Sequence, residues 1–98
     1  MIKSNSSLPL AITCGDPAGV GPEVIESVLR EDSLCADDCL LIGPEQWASS
    51  VSKLYGLNYE AVGNPNYMPQ SSAPSTEGAR LALEAMECEA VGCREGRF

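Results

Sequence analysis

Between Thr13 and Glu23 the chain reads Thr-Cys-Gly-Asp-Pro-Ala-Gly-Val-Gly-Pro-Glu, and this run constrains the fold more than any other. It follows a compact apolar stretch, Leu8 to Thr13, which reads as a strand entering a tight loop at Gly15-Asp16-Pro17. Pro22 suits the start of a helix, where its fixed φ fits and its missing N–H is not needed. Val24, Ile25, Val28 and Leu29 then share one helical face, and Arg30 complements the dipole in the last turn. A strand, a glycine-rich turn and a helix in that order form the opening half of a parallel βαβ unit.

The alternation continues. Ser33 to Asp38 is a polar connection, and Leu40-Leu41-Ile42 is a second short strand stopped by Gly43-Pro44. A second helix from Pro44 places Trp47, Val51 and Leu54 on one face and ends at Gly56. Tyr59 to Val62 forms a third strand. Residues 64–74, rich in proline and without periodicity, read as a loop or linker. Ser75 then caps a third helix with an apolar stripe of Ala79, Ala82, Leu83, Met86 and Ala90, an outer Arg80–Glu84 pair, and Gly92 as its end. The order β-α-β-α-β-α predicts an α/β layer fold with a largely parallel sheet. Another strand should follow Arg97-Phe98, so residues 1–98 read as part of a larger layer whose present faces lack partners.

Composition removes several function classes. The net charge of -8, from 14 acidic and 6 basic residues, repels phosphate backbones and anionic lipid, so neither nucleic acid nor a membrane surface is an expected partner. Lys3 and the brief apolar stretch Leu8 to Ile12 fall short of a signal peptide, and no segment is long enough for a membrane span, which predicts a cytoplasmic protein. Five cysteines (Cys14, Cys35, Cys39, Cys88, Cys93) make an odd set, and the chain has no histidine, so reduced structural thiols are expected in place of disulfides or a metal site.

The candidate site residues are Gly15, Asp16, Gly19, Gly21 and Glu23. Ligands of parallel α/β proteins gather at the carboxyl ends of strands, which is where this loop lies. Glycine allows close backbone approach, and the free N–H groups of a helix start attract anions. The spacing is neither G-x-G-x-x-G nor a Walker loop, and Asp16 and Glu23 bring negative charge to the helix start. Two readings therefore stay open: a strand-to-helix turn that needs glycine, or a binding loop whose carboxylates meet ligand hydroxyls. Trp47 reads as core, Tyr55, Tyr59 and Tyr67 imply nothing specific, and Arg94 and Arg97 read as solvated surface. Cys14 lies where a helix N-terminus could lower its pKa, but without a base partner it reads as a small buried side chain beside the loop.

The stretch Ile12 to Ile25, with Gly-Asp-Pro-Ala-Gly-Val-Gly-Pro-Glu at its centre, resembles the opening signature of the 4-hydroxythreonine-4-phosphate dehydrogenase family. Leu41-Ile42-Gly43, Tyr55-Gly56-Leu57, Glu77-Gly78-Ala79-Arg80 and the run from Gly92 to Phe98 resemble later segments of the same N-terminal region. The resemblance implies the N-terminal portion of a two-domain, isocitrate/isopropylmalate-dehydrogenase-like fold, a homodimer in full length. The implied activity is NAD-dependent oxidation and decarboxylation of 4-phosphohydroxy-L-threonine on the way to pyridoxal phosphate, with a divalent metal. A sister activity on phosphorylated threonate or erythronate falls in the same family. The family's metal-binding histidines and catalytic contacts have no counterpart in this chain, so no catalytic residue and no metal ligand is assigned. Gly15, Asp16, Gly19, Gly21 and Glu23 carry over as a cleft loop, on either the cofactor or the substrate side. The isolated chain is expected to be inactive and to hold neither NAD nor metal tightly. A different class of reading is a non-catalytic remnant serving as a small interaction protein.

Overall fold

In the computed structural model, which describes residues 8–31, 38–68 and 75–98, three strands and three helices alternate along the chain. They are β1 (Leu10–Thr13), α1 (Gly21–Glu31), β2 (Cys39–Pro44), α2 (Glu45–Tyr55), β3 (Asn58–Val62) and α3 (Thr76–Arg94). The sheet is wholly parallel in the order β1-β2-β3, with Ile12 beside Leu41 and Ile42 beside Glu60. This is the α/β layer with a parallel sheet that the punctuation predicts. The expected Ser33–Asp38 connection, apart from Asp38, and the 69–74 part of the linker lie outside the described residues.

Period-two alternation sends β2 side chains to opposite faces. Cys39 and Leu41 point to one side, where Leu29 of α1, Val51 of α2 and Leu57 close a buried cluster, with Ile12, Ile25, Trp47 and Tyr55 packed against it. Ile42 and its register partner Glu60 point to the other side, where α3 lies and Cys88 hydrogen-bonds Glu60. Two helices therefore cover one face and α3 covers the other. The central strand is accordingly the most buried element, with Leu41 and Ile42 fully enclosed.

The helix ends follow local chemistry. At α2, Gly56 adopts φ 74° and its N–H bonds Ser52 O at 2.8 Å, the left-handed stop the sequence predicts. At α3, Ser75 Oγ accepts from Gly78 N at 3.0 Å, as expected of an N-cap. Gly92 does not end α3. The helix runs on to Arg94 and stops at Gly96 (φ 80°), with Arg97 N on Gly92 O at 2.8 Å and Gly96 N on Cys93 O at 3.2 Å, the paired bonds of a Schellman motif. Gly92 is instead buried under the Phe98 ring, which occupies the space a Cβ would need.

Three helical faces differ from expectation. The buried face of α3 is Gly78, Leu81, Ala85 and Gly92, while Leu83 and Met86 on the expected stripe are 57% and 60% exposed. Small residues contribute to this, because Gly78 sits against Asp16 and Tyr67 and Gly92 sits under Phe98, places with no room for a side chain. On α2, Ala48, Val51 and Ser52 are buried and Leu54 is exposed. On α1, Leu29 is buried and Ile25 packs against the core, whereas Val24 and Val28 stay exposed beside Leu10 of β1. Arg80 and Glu84 do not close to salt-bridge distance; both line a hollow with Gly63 and Asn64.

Candidate functional site

The glycine loop begins where β1 runs out of partners. Cys14 N still bonds Ile42 O at 3.2 Å, prolonging the ladder by one residue. Gly15 then turns the chain at φ 68°, a left-handed conformation that glycine adopts without Cβ strain. Asp16 organises the next three residues: its Oδ1 accepts from Ala18 N at 2.9 Å, and its carbonyl accepts from Gly19 N at 2.9 Å. This is an Asx-turn nested in a β-turn, and it delivers the chain to α1 with Val24 N on Val20 O at 3.0 Å. Gly21 packs directly on the backbone of Cys14, whose carbonyl oxygen fills the space of a Cβ.

Other elements close around this turn. The position of a Cβ on Gly78 lies 3.2 Å from Asp16 Oδ1 and 3.1 Å from the Tyr67 hydroxyl, so the first turn of α3 abuts the loop because residue 78 has no side chain. Gly43 at the end of β2 lies between the Trp47 ring, 2.9 Å from its would-be Cβ, and Cys14 Sγ at 3.2 Å. Neither Gly43 nor Gly78 is among the predicted site residues. A glycine inside an otherwise good helix was the available signal for the second.

The predicted residues divide between two environments. Gly15, Asp16 and Gly21 shape the turn, while Gly19 and Glu23 line a cavity of about 330 Å³ between the starts of α1 and α2. Trp47, Pro17, Pro22 and Met68 supply its apolar walls, and Trp47 Nε1 donates to Glu26 Oε2 at 3.1 Å. Trp47 is thus half-buried between core and cavity, and not a wholly core residue. A larger hollow of about 440 Å³ lies elsewhere, an apolar seam between β1 and α1 lined by Leu10, Ile12, Val24 and Val28. Apart from Asp38 and Cys39 its lining is aliphatic.

Cys14 is 1% exposed, and burial pushes its thiol up to about 11, opposed in part by a hydrogen bond from its own backbone N–H and reinforced by Asp16. Burial therefore outweighs any lowering by the helix N-terminus, and the buried side chain expected beside the loop is what is found. Far from the loop, Arg97 is not merely solvated. Its Nη1 bonds Glu60 Oε1 at 2.7 Å and its guanidinium lies 5.0 Å from the centre of the Phe98 ring. Cys88, donating to Glu60 at 3.0 Å, is held up by burial and by that bond. Among the described residues, no group of three histidine, cysteine, aspartate or glutamate side chains comes together to hold a metal, and no helix is long and apolar enough to cross a membrane.

No protein-family model matches the chain. A stretch of 34 residues is 53% identical to a protein named D-threonate 4-phosphate dehydrogenase in Salmonella typhimurium, and equally to a putative D-threonate 4-phosphate dehydrogenase of Salmonella typhi. The matched stretch covers 35% of this chain and spans 10% of the length of those curated relatives. The short local similarity points to a dehydrogenase relationship. Together with the parallel α/β layer, it gives a partial α/β domain of dehydrogenase resemblance.

Proposed function

We propose that this chain is the N-terminal portion of an NAD- and metal-dependent dehydrogenase acting on a phosphorylated hydroxy acid, and that it is inactive by itself. The single observation that carries the reading is the Cys14–Glu23 turn: a glycine-built loop at the carboxyl end of a parallel strand, stabilised by Asp16 and faced by the start of α3. Local similarity to threonate-phosphate dehydrogenases supports the reaction class. The substrate is either 4-phosphohydroxy-L-threonine, on the route to pyridoxal phosphate, or 4-phosphothreonate, which the names of the matched relatives favour.

In this reading Asp16 keeps the loop in one conformation, and the exposed backbone of Gly19 and Val20 forms one wall of the cleft. A fixed wall matters because positioning alone contributes several kcal/mol to a bimolecular reaction, up to about 7–11. NAD supplies the hydride acceptor when bound. The metal does not fit the described residues: the chain has no histidine, and among the described residues no three possible ligands come together. A homodimeric, cytoplasmic enzyme is part of the same proposal.

The test compares the isolated 98-residue chain with the complete product of its native gene. Each is mixed with NAD, a divalent metal and either phosphorylated substrate. NADH formed by the longer product alone is the expected result. NADH from the isolated chain, or from neither protein, overturns the proposal.

A further inference from the structure

Helix α3 carries a second apolar face. Ala79, Leu83, Met86, Ala90 and Cys93 are all exposed and follow one another at spacings of four, three, four and three residues. That is the rhythm of a seam at which one helix meets another, and it runs for about 21 Å. The docked residues Gly78, Leu81, Ala85 and Gly92 lie on the other side of the helix. Leu83 is two residues from both Leu81 and Ala85, which is about 200° around the axis at 100° per residue. The seam therefore points away from the sheet.

The charges beside the seam decide what covers it. Arg80, Glu87 and Arg94 run along one flank, and Ala82 and Glu89 along the other. Among the described residues neither Arg80 nor Glu87 takes part in an ion pair. A second copy laid antiparallel, with Leu83 against Met86 and Ala79 against Ala90, brings Arg80 of each copy beside Glu87 of the other. The alternative antiparallel register, with Leu83 against Cys93, sets Glu87 against Glu87 and Arg80 against Arg94. A parallel pair joins Glu89 to Arg94 but leaves Arg80 without a charged neighbour and places like ends of the helix dipoles together. Charge complementarity thus selects one arrangement.

We propose that α3 is a self-association surface, on which two copies pair antiparallel through Ala79, Leu83, Met86 and Ala90, held in register by two symmetric Arg80–Glu87 ion pairs. This surface is distinct from the open edge of β1, and the inference does not rest on the dehydrogenase reading. Burial of the apolar seam drives the association, and the rim charges fix partner and register.

The test is sedimentation equilibrium of the chain carrying Leu10→Lys, which removes association through the β1 edge. Physiological salt screens the repulsion between two copies of net charge -8 beyond about 8 Å. A concentration-dependent monomer–dimer equilibrium is expected. Adding Leu83→Lys, at an exposed position, should leave only monomer with an unchanged far-ultraviolet circular dichroism spectrum. Arg80→Glu alone and Glu87→Arg alone should each weaken dimerisation about tenfold, because each turns two attractive pairs into two repulsive ones. An equal mixture of those two variants should dimerise as tightly as the parent, since both pairs then have opposite charges again. Monomer at every concentration of the Leu10→Lys chain overturns the proposal. So does dimerisation unaffected by Leu83→Lys or by either charge reversal, or a mixture that associates no more tightly than its components.

Discussion

The carbonyl oxygen of Cys14 stands where a side chain on Gly21 would begin. The end of β1 and the first residue of α1 are therefore in backbone contact across the loop, and the loop can close only if residue 21 is glycine. Gly21→Ala should destabilise the chain by about 1–3 kcal/mol, the usual cost of forcing an extra methyl into packed structure. Urea unfolding measures this; an unchanged midpoint would show that the close approach is not a constraint.

The same cysteine gives a pH dependence. Its pKa is raised from 9.0 to about 11, so the folded chain keeps the thiol protonated where the unfolded chain loses its proton. The stability this contributes is fully present below pH 9 and is lost as pH rises from 9 toward 11. Cys14→Ala should flatten the fall in thermal midpoint across that window. In the folded wild type, iodoacetamide at neutral pH should modify exposed Cys93 well before Cys14, as peptide mass mapping would show. Equal rates would contradict the burial.

Ser75 Oγ caps α3 through Gly78 N, close to where Gly78 meets Asp16. Ser75→Ala should cost about 1 kcal/mol and Ser75→Asp should restore most of it. If alanine and aspartate denature at the same midpoint as serine, the cap carries no stability.

Leu10 on the edge strand is 65% exposed, beside Val24 and Val28 at 55% and 53%. An open strand edge flanked by apolar side chains favours association. The isolated chain should self-associate in sedimentation, and Leu10→Lys should shift it toward monomer. A wild type that sediments as a monomer at every concentration would contradict this.

Much of this architecture was legible in the sequence because its punctuation is local. Gly15 and Gly56 need positive φ, Ser75 needs only its own backbone neighbours, and each marks an element end within the reach of short-range rules. The facing of the helices was less legible. On α3 the larger apolar residues Leu83 and Met86 outweigh Gly78 and Gly92 in any periodicity count, yet the glycine side is the buried one, because Asp16 and Tyr67 at one end and Phe98 at the other pack where a side chain would stand. The loop itself was visible as a site candidate, but the division between Asp16, which holds the turn, and Glu23, which faces a cavity, depends on tertiary placement. The Trp47–Glu26 bond joins two helices and leaves no local trace.

Asp16 links the loop geometry to the proposed reaction, so its replacement is the most direct test. The complete product of the native gene, as wild type and as Asp16→Ala, is assayed for NADH formation with NAD, magnesium and 4-phosphothreonate or 4-phosphohydroxy-L-threonine. The wild type should turn over one of the two, and the variant should lose about tenfold to a hundredfold of that rate when the cleft wall is no longer held in place. No NADH from the wild type, or an Asp16→Ala variant that turns over at the wild-type rate, would contradict the dehydrogenase role of the loop.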